Sequence, residues 1–512
     1  MSSVLDEVVD AVEPAPDILS VIAGTHPAVA LSVDVGTSGV RAALFDAQGK
    51  EISGIFLSRI DSTSPRSFHE FDPDLILKKV IEAIDELLAG SSDVPFMMEA
   101  IAISCFWHSL MGIDGAGSPI TRLLTWADTR AAAAVKHLRQ RFDEDQIHCR
   151  TGCRFHPSYW PAKLLWLRSE QPNAFARVRR WIGFTEFLSL RLFDQQAMSV
   201  SMASATGLFD NGKQQWDESF VDDLGIPLET LPNIDNSGPQ LVDKFRSRWP
   251  VLAEARLCGV YGDGATNNVG GGCLTKDKAA LMVGTSGALR VAYEDNTPDE
   301  LPSELWCYRI DRKRIVVGGA LSDGGGLYRW LTESLFLADD PATIEIQLSR
   351  MEPDEHGLTI LPFWSGERST GWSATARGAI VGITQQTQPI EIIRAALEAV
   401  AYRFAAVMEA LQPLVGKPKI VATGNALRSS AVWLQIMADV LNCEILLSGL
   451  LESSTRGAAL LALEGMGKID GIEQRAIPIE RIFEPNNETQ RRYQYGRERH
   501  DRLYQRLILE ER

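Results

Sequence analysis

The sequence predicts an α/β protein built from two similar domains, and three observations carry that prediction. Strand-like and helix-like segments alternate along most of the chain, the pattern of layered α/β folds. The pentapeptide Val35-Gly-Thr-Ser-Gly39 recurs unchanged as Val283-Gly-Thr-Ser-Gly287, 248 residues later. Each copy ends an apolar strand (Val29–Val33; Ala279–Met282) and leads into a second strand (Arg41–Phe45; Leu289–Tyr293). The length agrees, because 512 residues hold roughly two to four domains of about 100–200 residues each.

Taken in order, residues 1–27 are rich in Ala, Pro, Asp and Glu and read as a loosely docked extension. His26–Asp34 and Val40–Asp46 read as strands joined into a hairpin, with Ala47–Lys50 as the next turn. Asp72–Leu88 carries apolar residues at helical spacing, and Glu99–Ser104 is a short apolar run typical of a buried strand. Pro161–Ser169 and Trp181–Leu192 read as aromatic-rich helices. Leu257–Val260 reads as a strand entering the Gly-rich segment Tyr261–Gly272, and the boundary between the two domains falls near Cys273–Lys278. Ile420–Asn425 reads as strand and turn, followed by a helix with Trp433, Ile436, Met437 and Val440 on one face. The charged final segment Glu488–Arg512 reads either as a docked helix or as an interaction arm.

Composition narrows the function. With 51 Lys+Arg against 67 Asp+Glu the net charge is −16, so the surface repels a phosphate backbone and nucleic acid is not the expected partner. An anionic small ligand stays open, since a local cation or helix N-terminus outweighs the net field at short range. No apolar run is long enough to span a bilayer and the first residues are acidic, so a cytoplasmic protein without a membrane partner is expected. Seven scattered cysteines suit reduced, buried thiols; only Cys149 and Cys153 lie close enough to suggest a zinc site, and no second Cys/His pair accompanies them.

The loops suggest phosphate chemistry. A Gly-Thr-Ser-Gly turn after a strand offers backbone N–H groups and hydroxyls to an anion. One such turn is commonly only a hairpin, whereas two facing turns make a phosphate clamp. Asp34 before the first copy could hold a hydrated magnesium ion, and Arg41 after it could meet a phosphate. Met282 replaces that aspartate in the second copy. Asp263 between two glycines either caps a helix or serves as a general base. Phosphoryl transfer requires little else: a base, a metal, and donors that hold the array in line. Trp107, His108 and Trp126 combine rings with hydrogen-bonding groups, as a sugar site needs.

In this order, Asp34-Val-Gly-Thr-Ser-Gly-Val-Arg41, Trp126-Ala-Asp-Thr-Arg130, Gly262-Asp263, Gly284-Thr-Ser286, Thr423-Gly-Asn-Ala-Leu-Arg-Ser429 and Gly457-Ala-Ala-Leu460 resemble the FGGY carbohydrate kinases over residues 28–480. The resemblance implies two duplicated actin-like, ribonuclease-H-like domains with an interdomain catalytic cleft. It implies an N-terminal domain over 28–275 that binds sugar and carries the base, a nucleotide-binding C-terminal domain over 276–480, and a helical segment over 481–512. ATP and Mg2+ are the implied cofactors. Asp263 becomes the catalytic base, Asp34 the metal residue, and Thr37, Ser38, Arg41, Thr285, Gly325, Gly424 and Asn425 the nucleotide contacts. Trp107, His108, Trp126, Ser158, Tyr159 and Asp263 are implied to contact the acceptor. A homodimer is compatible with this reading, although the sequence sets no oligomeric state.

Within the family the chain looks most like gluconate kinases, through Thr125–Arg130, Ala203–Phe209, Gly284–Arg290, Val317-Gly-Gly319 and His156-Pro157. Trp107, Ser158-Tyr-Trp-Pro161 and Ser322-Asp323 depart from that likeness where the sugar is expected, which keeps xylulose, another ketose or a polyol open as acceptor. A non-catalytic sugar or nucleotide sensor is the reading from a different class. An aldonate requires a cation near its carboxylate, and Arg154 and Lys163 are the candidates.

Overall fold

The computed structural model describes residues 28–37, 39–58, 70–91, 97–235, 238–335 and 340–510; the expected extension over 1–27 lies outside them. Two sheets organise the rest. The first joins β1 (Ala28–Gly36), β2 (Gly39–Asp46), β3 (Glu51–Ser58), β4 (Met97–Cys105) and β5 (Arg256–Gly262) in the order β5-β4-β1-β2-β3. Here β1 and β2 form the expected hairpin, β3 extends it antiparallel, and β4 lies parallel to both β1 and β5. The second sheet joins β6 (Lys278–Val283), β7 (Gly287–Glu294), β8 (Trp306–Arg309), β9 (Arg314–Leu321), β10 (Lys419–Thr423), β11 (Ile445–Ser448) and β12 (Ile479–Phe483) in the order β8-β9-β7-β6-β10-β11-β12. Its inner strands β9-β7-β6-β10-β11 repeat the order and directions of β3-β2-β1-β4-β5. The pentapeptide repeat therefore marks a duplicated sheet.

Alternation along the strands decides what covers each face. Val29, Leu31, Val33 and Val35 pack with Ile76, Leu77, Val80 and Ile81 of helix α1 (Pro73–Gly90), whose first turn is capped by the Asp72 carboxylate. Ala30, Ala100 and Ala102 face the opposite core, where small side chains admit a helix at close range. That helix comes from the second half of the sequence: Ala458–Leu463 of α7 (Ser453–Gly465) are buried there, with Ala265 and Val269 of α3 (Asp263–Gly270). Helices α3 and α7 cross at backbone contact. A Cβ on Gly270 would lie 1.8 Å from the Ser453 carbonyl oxygen, and one on Gly457 would lie 1.9 Å from that of Thr266. The Gly457-Ala-Ala-Leu460 motif thus serves helix packing between the two halves.

The second sheet packs against α5 (Pro389–Val415) and α6 (Ala431–Leu441), with Trp433, Ile436 and Met437 buried as their spacing predicts. Helix α2 (Trp160–Glu170) packs into the first half's core through Trp160, Leu164 and Leu167, and α4 (Gly325–Ser334) into the second through Leu327 and Leu331. The expected helix over Trp181–Leu192 starts later, at Phe184, because Arg180–Ile182 pairs instead as a short strand with Met111–Ile113. The final helix α8 (Asn487–Tyr504) is docked: Arg394 donates to the Tyr493 hydroxyl at 2.6 Å, Arg499 pairs with Asp354, and Tyr504 donates to Glu367 at 2.7 Å. All seven cysteines are free thiols, five of them buried. Among the described residues no helix is long and apolar enough to cross a membrane.

Candidate active site

Asp263 opens α3 directly after β5, so a strand end and a helix start fix its backbone together. The Gly-rich segment around it is helical, and its glycines are explained by their neighbours. A Cβ on Gly262 would fall 1.8 Å from the Trp107 ring, and one on Gly264 would fall 2.3 Å from Arg290 Nη1. The glycines make room for an indole and a guanidinium beside the carboxylate. The Gly264 N–H donates to Asp263 Oδ1 at 2.7 Å. The half-buried carboxyl is pushed up to about 6, first by loss of water and then by the negative charge of Asp34, against the opposing pull of Arg290. A carboxylate so placed can accept a proton near neutral pH.

Asp34 lies near the end of β1, buried, with its Oδ1 accepting from Ser104 of β4 at 2.6 Å. Ser104 Oγ also lies 2.9 Å from Thr266 Oγ1 of α3, which ties β1, β4 and the helix that Asp263 opens together. Burial raises the Asp34 carboxyl above its usual range. Arg41, across the hairpin, lies 3.7 Å from Asp34 and 2.9 Å from Glu452, just ahead of α7. Buried Arg290 donates to Asn267 at 3.0 Å, and burial lowers it to about 10.

The aromatic residues line the first half of the cleft. Trp107 is buried, donates to the Ser201 carbonyl at 3.1 Å, and meets Tyr308 edge-on at 5.0 Å. His108 holds a left-handed backbone (φ 69°), a conformation a non-glycine residue keeps only when its surroundings enforce it. Two contacts do so: Lys163 donates to its carbonyl at 2.5 Å, and its own Nδ1 donates to the Ala205 carbonyl at 2.6 Å. Because burial holds the His108 ring neutral, that donation leaves Nε2 as an acceptor suited to a hydroxyl. Ser158 and Tyr159 are buried with their hydroxyls engaged inside the protein. Ser158 donates to the Trp126 carbonyl at 2.7 Å, and Tyr159 meets the Tyr308 hydroxyl at 2.6 Å. They shape the wall and position Trp126, which is half-buried.

Of the predicted nucleotide residues, Thr285, Gly325, Gly424 and Asn425 gather at one end of the second sheet. Thr285 is exposed at the β6–β7 turn, and its carbonyl accepts the Gly324 and Gly326 N–H groups ahead of and within α4. Gly325 is buried and donates its own N–H to Gly284 at 2.8 Å, so its part is close packing: a Cβ there would lie 2.6 Å from Ala426. Gly424 needs its glycine for a left-handed backbone (φ 95°) against the Val283 carbonyl, and Asn425 beside it is exposed. Thr37 is exposed at the β1–β2 turn, and Ser38 lies outside the described residues.

Both cations considered for a carboxylate are committed elsewhere: Arg154 to Glu144 and Asp145, and Lys163 to the His108 carbonyl. Asp323 accepts from the N–H and hydroxyl of Ser365, fixing a loop. Sequence reading missed Ser104, Arg290, Glu452 and Arg368. Arg290 ends the Gly284–Arg290 run and Ser104 ends an apolar run, signals visible only once β4, β7 and α3 are known to converge.

Residues 29–249 match the N-terminal domain, and residues 279–466 the C-terminal domain, of the FGGY family of carbohydrate kinases. The gluconokinase of Bacillus licheniformis is 29% identical over 464 residues, covering 86% of this chain and 88% of that protein. A glycerol kinase of Citrifermentans bemidjiense is 27% identical over 91% of this chain and 96% of that protein. Among solved structures, a gluconate kinase and a ligand-bound xylulose kinase, both from Lactobacillus acidophilus, each give a TM-score of 0.85 at 27% identity, covering 94% of this chain and 98% of theirs.

Proposed function

This chain belongs to the FGGY family of carbohydrate kinases, and from that premise we propose that it transfers the γ-phosphate of ATP to the primary hydroxyl of gluconate. The observation that carries the chemistry is Asp263: a half-buried carboxyl pushed up to about 6 at a strand-to-helix junction, beside Asp34 and Arg290. Asp263 removes the proton of the acceptor hydroxyl as its oxygen attacks the γ-phosphorus, and ADP leaves. The gluconokinase relatives support gluconate as the acceptor.

The residues fit magnesium and ATP. Asp34 is buried with one oxygen bonded to Ser104 and the other no closer than 3.7 Å to Arg41, so a carboxylate oxygen is available to a hydrated cation, which prefers few protein oxygens. Magnesium bound there with ATP supplies charge neutralisation on the phosphates. Thr37, Ser38, Arg41 and Thr285 would meet the phosphates, and Gly424 and Asn425 would form the nucleotide wall, with Gly325 packed behind them against Ala426. The chain's halves would divide the work, residues 28–275 holding the sugar and 276–480 the nucleotide. We place the enzyme in the cytoplasm, where ATP and a sugar acid are both at hand.

A ketose reading is favoured by one observation, the bulky cluster of Trp107, Trp306 and Tyr308 against the base. A panel of gluconate, xylulose, glycerol and glucitol, assayed for acceptor-dependent ADP release, separates the two. The proposal expects gluconate to give the highest kcat/KM; a ketose ahead by tenfold would replace it.

A further inference from the structure

Arg368 lies in the loop that joins two short paired strands, Thr359–Leu361 and Ala379–Val381, and it is a half-buried cation without an acid. Among the described residues no carboxylate comes within ion-pair distance of it, and its Nε is buried with no hydrogen-bond partner. Its guanidinium carbon lies 5.4 Å over the Trp126 ring, a placement that favours a cation and holds it at the cleft wall. The loop on either side is pinned. Glu367 accepts from Arg403 at 2.6 Å and from Tyr504 at 2.7 Å. The Ser369 N–H donates to the Ala320 carbonyl at 3.0 Å, and its hydroxyl accepts the Ala320 N–H at 3.1 Å. Arg368 is therefore held in place with its fork of donors uncommitted.

Its charge acts on His108, Tyr159, Lys163 and Tyr308, the residues that form the acceptor wall, and on Asp263. Of the other cations considered for this role, Arg154 is paired with surface acids and Lys163 is committed to the His108 carbonyl.

We propose that Arg368 is the specificity-determining residue that binds the carboxylate of a sugar-acid acceptor, bidentately, opposite Asp263. This rests on the gluconate reading and adds the group that selects the acid over a neutral polyol. A guanidinium already in place loses little freedom on binding, and its planar fork matches a carboxylate.

The test compares gluconate with glucitol, which carries CH2OH in place of the carboxylate, in the wild type, Arg368→Gln and Arg368→Lys. Glucitol is measured as substrate or as competitive inhibitor, and thermal midpoints check folding. In Arg368→Gln, kcat/KM for gluconate should fall on the order of 100-fold, mostly through KM, as loss of a charge-assisted contact predicts. Glucitol should change by less than about threefold, and Arg368→Lys should recover part of the preference. Equal losses on both ligands, or no loss on gluconate, would overturn the assignment while leaving the kinase reading intact. If the wild type itself neither phosphorylates nor binds any aldonate, the gluconate reading fails, and this one with it. Should Arg368→Gln prove unfolded, Arg368→Lys decides alone: an unchanged ratio of gluconate to glucitol overturns the proposal.

Discussion

Asp263 is under two opposed demands. As the proposed base it must be ionised, yet its enclosure beside Asp34 raises its pKa from 3.8 to about 6. A carboxyl whose folded pKa is raised holds its proton more tightly in the folded state, so its contribution is most favourable below about pH 4. Stability is then lost as pH rises through about 6. Asp263→Asn should therefore abolish transfer while raising stability at pH 8 by up to about 3 kcal/mol, reduced by the solvent that still reaches the carboxyl. Denaturation curves should show that gain shrinking toward pH 4; a gain constant with pH would contradict the assignment. For the same reason kcat/KM should fall below about pH 6, where the base becomes protonated, and a profile flat to pH 5 would count against Asp263. Asp34, Arg41, His108 and Asp263 stand out as candidates in the sequence because each sits in a short motif whose chemistry is local. Arg290 and Arg368 were not, since nothing in their neighbouring residues shows that β7 and a distant loop arrive at the same cleft.

Elements carry the next layer. The hairpin β1–β2 and its copy β6–β7 were readable from alternation and a tight turn, and the helix over Pro73–Gly90 from its spacing and cap. One element differs for a physical reason: Trp181 joins a strand through tertiary pairing that overrides its helical neighbourhood. The Gly-rich segment after β5, where Asp263 could cap a helix, is helical because a ring, a guanidinium and a neighbouring helix occupy the missing side-chain space. Helix α7 is the case with most at stake. Its register against α3 depends on Gly270 and Gly457, so Gly457→Val must push the helices apart and move both Thr266 and the base. We expect destabilisation of about 3 kcal/mol or more, together with a kcat loss exceeding any change in KM for ATP. Denaturant unfolding and steady-state kinetics check this, and a variant of native stability and rate would refute the helix-crossing role.

For the whole molecule, the repeat of five residues proved to be the visible part of a repeated sheet, and the net charge of −16 describes the outer surface rather than the cleft. Arg41, Arg290 and Arg368 concentrate positive charge where an acidic chain must handle anions. On the proposed division of sugar and nucleotide between two halves that share α3 and α7, the halves should close when both ligands are present. Small-angle scattering should show a smaller radius of gyration with gluconate and a non-hydrolysable ATP analogue together than with either alone; identical radii would contradict closure. The central claim, that Asp263 drives phosphoryl transfer from ATP to gluconate, is tested most directly by phosphorus NMR of the reaction mixture. The wild type should convert ATP and gluconate to ADP and a phosphomonoester on the terminal carbon, with Asp263→Ala giving none although it still binds ATP. Orthophosphate in place of the ester, or the same ester at the wild-type rate from Asp263→Ala, would contradict the claim.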